Sequence, residues 1–291
     1  MNSTTHTVNL NRQLLTTLYF TLLACLFIFG VTTHVLAETA PNSIQLQYLK
    51  DSSDSEDIFF DTTLALTDKT SLLLSAGNTK ANGANPIDLD YRDIGLTHQF
   101  SDNFDMLFKY ETISQGNEIE ADTIKATLTW STDLWSFGLT PEYRELSLLN
   151  TLSGRQVSLS SNGIGVSVYY YGIKNWEYGV SLSSYDYSAN TRILSLPIVI
   201  RLISSNAFTV ASGLLDYSAT TSASYFFQKS DLGATYTRNK SAIDGKFSNT
   251  FSLRWNLYHF KPFTLGLEAG TVSSSNNVGS SYSGLTLGYR W

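Results

Sequence analysis

The chain ends in Tyr282-Ser283-Gly284-Leu285-Thr286-Leu287-Gly288-Tyr289-Arg290-Trp291, ten residues that alternate strictly in polarity. As a strand, this segment puts Leu285, Leu287, Tyr289 and Trp291 on one face and Gly284, Thr286, Gly288 and Arg290 on the other. The apolar row ends in aromatics, and the polar row is small or charged. Faces of such different character need different surroundings, although any half-buried antiparallel strand meets that need.

The same parity recurs upstream. Phe104, Met106, Phe108 and Tyr110 oppose Asp105, Lys109 and Glu111, with Leu107 the exception. Ile124, Ala126, Leu128 and Trp130 oppose Thr123, Lys125, Thr127 and Thr129. Phe251, Leu253, Trp255 and Leu257 oppose Ser252, Arg254, Asn256 and Tyr258, and Phe263, Leu265 and Leu267 oppose Thr264, Gly266 and Glu268. Charge keeps off the apolar parity, as it must if that row faces lipid, where Lys or Arg at the midplane costs about 2 to 4 kcal/mol. A soluble sandwich alternates too, but its apolar row is packed core and does not end in aromatics at both borders. Here Phe104, Trp130, Trp135, Trp176, Phe208, Phe263, Tyr289 and Trp291 sit near a tight turn or the C-terminus and read as an inner lipid-interface girdle. Tyr48, Tyr91, Tyr110 and Tyr143 supply an outer one.

This closing strand resembles that of Gram-negative outer-membrane β-barrels, a porin-like superfamily whose members typically end on Phe or Trp with an aromatic two residues earlier, as Trp291 and Tyr289 do. No subfamily is singled out. The resemblance implies an antiparallel up-and-down transmembrane barrel with both termini on the periplasmic side. It further implies contact with outer-membrane lipid and lipopolysaccharide, and a C-terminal strand read by the outer-membrane assembly machinery.

The N-terminus agrees with export. Arg12 precedes an apolar stretch from Leu14 to Leu36, and Val35-Leu36-Ala37 offers small residues before Glu38, so residues 1–37 read as a signal peptide and 38–291 as the barrel. A transmembrane anchor or a lipoprotein box at Leu22-Leu23-Ala24-Cys25 are the competing readings. Cys25, the sole cysteine, falls in the leader, leaving no disulfide or thiolate site after it. Removing Arg12 leaves 19 minus 1 basic residues against 25 acidic, a net of −7, which argues against nucleic acid as a partner. After the leader no segment has the ~20 apolar residues of a membrane helix. A closed barrel is then the remaining way to span a bilayer.

Tight turns recur at Thr67-Asp68-Lys69, Ser101-Asp102-Asn103, Ser131-Thr132-Asp133, Ile173-Lys174-Asn175, Ser204-Ser205-Asn206, Lys229-Ser230-Asp231 and His259 to Pro262. Longer polar links alternate with them, among them Lys50 to Asp57, Glu145 to Gly154 and Asp216 to Ser222. That layout predicts about sixteen strands, short periplasmic turns, short outer loops and no plug, since only Glu38 to Ser43 precede the first strand. Fourteen strands is the alternative, because Ala211 to Thr237 is weakly patterned. Phase slips at Arg92-Asp93 and Ser161-Asn162-Gly163 read as bulges or loop ends. Leu194 to Leu202, with Pro197, reads as an irregular strand.

Inward parity lines the lumen with Asp61, Asp105, Glu111, Glu142, Glu177 and Glu268 beside Lys109, Lys125, Arg144, Arg201, Arg254 and Arg290. Such rows either set a field across a passive channel for small polar solutes or pair to brace a narrow barrel. The competing classes are a non-transporting envelope or surface-interaction barrel and a lipid-modifying or hydrolytic barrel enzyme. The expected histidines, His98 and His259, lie beside periplasmic turns on the outward parity, away from outer-leaflet substrates. No catalytic residue, metal site or cofactor is expected, and Asp51 to Asp57 reads as solvated charge rather than a calcium loop. An oligomer is compatible with this reading.

Overall fold

Segments in which Thr, Tyr, Phe, Val and Leu alternate with Ser, Gly and charge are strand formers, and here each finds its sequence neighbour. The computed structural model describes residues 42–52, 54–81, 87–116, 119–150, 155–188, 215–242, 245–258, 262–274 and 279–291. Fourteen antiparallel strands follow in chain order: β1 (Ser43–Asp51), β2 (Ser55–Ala65), β3 (Thr70–Ala81), β4 (Ile87–Ser101), β5 (Phe104–Gln115), β6 (Ile119–Ser131) and β7 (Trp135–Asn150). The second half comprises β8 (Arg155–Tyr170), β9 (Trp176–Tyr187), β10 (Leu215–Phe226), β11 (Ser230–Ser241), β12 (Phe247–Leu257), β13 (Phe263–Ser274) and β14 (Ser280–Arg290). Each strand bonds its sequence neighbours and β14 returns to β1, so the sheet closes with no free edge.

The seam between first and last strands runs unbroken from Ser43↔Arg290 to Asp51↔Tyr282. Beyond it, the Asn42 and Trp291 backbones exchange two hydrogen bonds of 3.1 Å. The Asn42 side chain also accepts from the Ala65 amide at 2.8 Å, tying the seam to β2. Trp291 therefore ends the ladder at the turn end of the barrel.

The count of sixteen becomes fourteen, for a local reason. Asp216 to Ser222, expected as a link, lies within β10, which pairs directly with β9 from Tyr217↔Ser184 to Tyr225↔Trp176. One face of β10 is Ser218, Thr220, Ser222 and Ser224, and the other mixes Ala219, Thr221 and Ala223 with tyrosines, so hydrophobic alternation is faint although the backbone ladder is complete. The expected strand Leu194 to Leu202, the turn Ser204-Ser205-Asn206, Arg201, Phe208, His259 and the leader lie outside the described residues.

The two expected phase slips are absent. The β3–β4 ladder is continuous through Ala76↔Arg92 and Ser75↔Asp93, and β7–β8 is continuous through Arg144↔Ser161 and Glu142↔Gly163. Asp93 and Ser161 are simply inward and buried, while Arg92 and Asn162 point outward and are exposed. Register shifts occur instead between Gln99 and Ser101, beside a turn, and between Leu215 and Tyr217. In β7, Pro141 supplies no amide hydrogen, and the ladder to β6 skips from Lys125↔Glu142 to Leu128↔Leu139. The hydroxyls of Thr127 and Thr140 meet at 2.9 Å in that gap.

Side chains are distributed inside out relative to a water-soluble core. Leu182 is 51% exposed, Leu253 46% and Trp291 54%, all on the outward parity, whereas Glu111, Arg144 and Asp231 are buried. Ile113, Ala121, Leu146 and Leu159, opposite one another across β5 to β8, form a buried apolar row on the inward parity near the end away from the turns.

Candidate functional site

The inward rows of β4 to β7 join into a ladder of charge. Lys109 on β5 and Lys125 on β6 are directly opposite each other, a repulsive pairing unless an anion is shared. Glu111 supplies it: its Oε2 lies 2.9 Å from Lys125 Nζ and 3.8 Å from Lys109 Nζ. Lys109 also reaches Asp93 Oδ2 at 2.7 Å. Tyr91 donates its hydroxyl to Asp93 Oδ2 at 2.6 Å and accepts from Lys109 Nζ at 3.1 Å. Farther round, Arg144 donates from Nη2 to Glu142 at 2.8 Å and from Nε to Thr123 Oγ1 at 2.9 Å, and its guanidinium lies 5.7 Å from the Tyr185 ring centroid. Three cations and three carboxylates are thus matched along one wall.

The facing wall is different. A cavity of about 540 Å³ has this ladder on one side and β1, β2, β13 and β14 on the other, which contribute Gln47, Asp57, Asp61, Glu268 and Tyr282. Tyr282 donates to Glu268 Oε1 at 3.1 Å. Asp57 and Asp61 have no basic partner among the described residues. Lys50 at the rim is taken by Glu56, 3.1 Å away. Asp51, expected as solvated charge, is buried and accepts from the Ser55 amide at 2.8 Å, beside Asp54 at φ 61°.

Of the residues chosen for the lumen, Lys109, Glu111, Lys125, Glu142 and Arg144 are brought together in the ladder, while Asp61 and Glu268 lie across the cavity. Asp105, Glu177, Arg254 and Arg290 share the inward parity but stand nearer the turns, Arg254 directly opposite Glu268. At that end Tyr258 donates to Asp231 Oδ2, Asn256 donates to Asp231 Oδ1 at 3.0 Å, and Arg290 lies 5.9 Å from the Tyr258 ring centroid. Burial and the Asp231 carboxylate push the Tyr258 hydroxyl up to about 12.

Tyr91 is a correction: placed in the outer girdle by sequence, it lines the cavity, because Ile94 and Leu96 on β4 take the outward row and leave Tyr91, Asp93 and Gly95 inside. Asp57, Phe59, Asp93 and Tyr282 are lining residues that sequence reasoning passed over. The Ile94–Leu96 parity points to Asp93, and the alternation of the closing strand points to Tyr282.

On the outside, Phe104, Trp130, Trp135, Trp176, Phe263, Tyr289 and Trp291 are all exposed and cluster at the turn end. Their rings touch in sequence: Trp130 stacks on Phe137 at 5.5 Å, Trp135 meets Tyr170 at 4.5 Å, Phe263 meets Tyr289 at 5.1 Å, and Tyr289 stacks on Trp291 at 5.7 Å. His98 stands on this outer face with its Nδ1 2.9 Å from Thr70 Oγ1 and Phe100 edge-on.

No protein-family model matches the chain, and no curated protein matches it. Among solved structures it is similar to a bacterial polysaccharide outer membrane secretin, 8% identical with a TM-score of 0.55 over 88% of this chain and 100% of that one. A loop-deletion form of OmpT, an outer membrane protein of Vibrio cholerae, is 9% identical with a TM-score of 0.49 over 86% of this chain and 98% of that one. A NanC porin is 10% identical with a TM-score of 0.47 over 84% and 98%. The chain is thus a closed fourteen-stranded barrel similar in fold to outer-membrane β-barrel proteins.

Proposed function

We propose that this chain is a porin-like barrel of the Gram-negative outer membrane whose lumen passes small polar solutes and favours cations. The observation that carries the reading is the 540 Å³ cavity inside the barrel, polar and charged, with a matched ladder on one wall and the unmatched carboxylates Asp57 and Asp61 on the other. The outward leucines and the aromatic belt at the turn end support residence in a bilayer, where lipid and lipopolysaccharide cover that face. In that setting β14, with its terminal Tyr289 and Trp291, is the strand offered to the assembly machinery. Fixed negative charge at a narrow aqueous passage raises the local concentration of cations and lowers that of anions.

Folded protein in planar bilayers should give discrete conductance steps and a cation-favouring reversal potential under a salt gradient. The Asp57→Asn/Asp61→Asn pair should move that potential toward zero. A silent bilayer from correctly folded barrel defeats the channel reading and favours the second one, a non-transporting envelope barrel. The observation behind that second reading is the ladder itself, which ties β4, β5, β6 and β7 together along one wall.

A further inference from the structure

Among the described residues, five inward glycines are overlain by a leucine or aromatic side chain directly opposite on a neighbouring strand: Phe59 on Gly77, Leu49 on Gly284, Tyr282 on Gly270, Tyr185 on Gly163 and Tyr169 on Gly179. A side chain laid over a glycine lies along the wall instead of projecting across the bore, since no β-carbon holds it off. Phe59, Leu49 and Tyr282 all border the 540 Å³ cavity. Part of that space therefore exists because three glycines let three large side chains lie down.

Gly77 is the seat with the widest connections. Phe59, Gly77 and Tyr91 are aligned across β2, β3 and β4. A β-carbon at residue 77 would overlap Phe59 Cδ1 and come within 2.6 Å of Cε1, while the nearest backbone atom, the Ile58 oxygen, would be 3.0 Å away. The obstruction is thus a movable ring more than the chain itself. At Gly270 and Gly284 backbone oxygens would come as close as 2.6 and 2.8 Å, so those seats are less permissive. Having crossed Gly77, the Phe59 ring meets the Tyr91 ring edge-on at 5.9 Å. Tyr91 in turn holds Asp93 and Lys109. The aromatic lining and the charge ladder are one connected surface, and Gly77 is its low point.

We propose that Gly77 and the Phe59 ring seated on it set the bore of the lumen, so that the size limit of the solutes admitted is determined at this pair. The inference rests on the channel reading above and adds to it a size-determining residue that carries no charge. Raising the ring narrows the cavity on the side where Asp57 and Asp61 stand; removing it widens the same place.

The test uses the full barrel and two readouts. Gly77→Val should lower unitary conductance by at least about a third and exclude the largest neutral polymers that still enter the unmodified lumen. Phe59→Ala should raise both conductance and size limit, and Gly77→Val/Phe59→Ala should return close to the starting conductance. Unchanged conductance in Gly77→Val, or a loss that Phe59→Ala does not relieve, overturns the proposal, the latter by assigning the effect to the backbone. If the unmodified barrel is folded but silent, the channel reading has failed. The seat is then tested with 4-fluorophenylalanine at position 59 and a water-soluble paramagnetic probe: fluorine relaxation should increase in Gly77→Val, and equal relaxation overturns the seat.

Discussion

Leu182 and Ser181 show how much a single position is told by its neighbours. Leu182 lies mid-strand in β9 between Val166 and Ala219, on the outward row, and Ser181 lies between Ser167 and Thr220 on the inward row. One is exposed on the outer face and the other faces the lumen, a step of one residue along the chain. Leu182→Arg should destabilise the barrel in lipid vesicles by about 2 to 4 kcal/mol in reversible urea unfolding, and Ser181→Arg by much less. Equal costs would mean that the outward face is not in lipid. Parity of this kind is legible in sequence because it depends on adjacent residues alone. The contribution of Gly77 was not legible, because its partner Phe59 lies across a strand pair and only register brings them opposite.

Along β4 to β7 the unit of meaning is the cross-strand row rather than the strand. Lys109, Glu111, Lys125, Glu142 and Arg144 were each readable as inward from parity. That Glu111 sits between two opposed lysines follows only from the pairing Lys109↔Lys125 and Glu111↔Thr123. Glu111→Gln leaves those ammoniums facing each other with one fewer shared anion. It should cost about 1 to 3 kcal/mol and make stability rise with added salt, since screening then relieves repulsion. Thermal unfolding across an ionic-strength series checks the sign: a variant that loses stability with salt would show that the lysines find other anions. Strand β10 marks the opposite limit of reading at this scale. Its faint alternation looked like a link, yet its backbone ladder with β9 and β11 is intact, because hydrogen bonding along a strand needs no side-chain contrast.

For the whole barrel, closure is the property on which every strand depends. The seam β1–β14 uses all nine residues of Ser43–Asp51, and Asn42 and Trp291 lock its end. Deleting 280–291 would open two edges, on β1 and β13, whose amides and carbonyls would, in the bilayer proposed above, lack partners at a cost of several kcal/mol per group. The truncated chain should therefore lose the heat-dependent shift in gel migration that a closed barrel shows, and a retained shift would mean that β1 and β13 can close without β14.

By itself the sequence determined that this chain makes antiparallel strands with one apolar and one polar face, and that charges such as Lys109, Glu111, Lys125 and Arg144 share the polar row. Both depend on a two-residue period and on turn chemistry that neighbours along the chain supply. Tertiary structure alone decided that fourteen strands close the wall, and that Glu111 is shared by two lysines while Asp57 and Asp61 have no cation beside them among the described residues. Those outcomes depend on register and closure, which are set by pairing between strands and are not carried by any one strand's pattern.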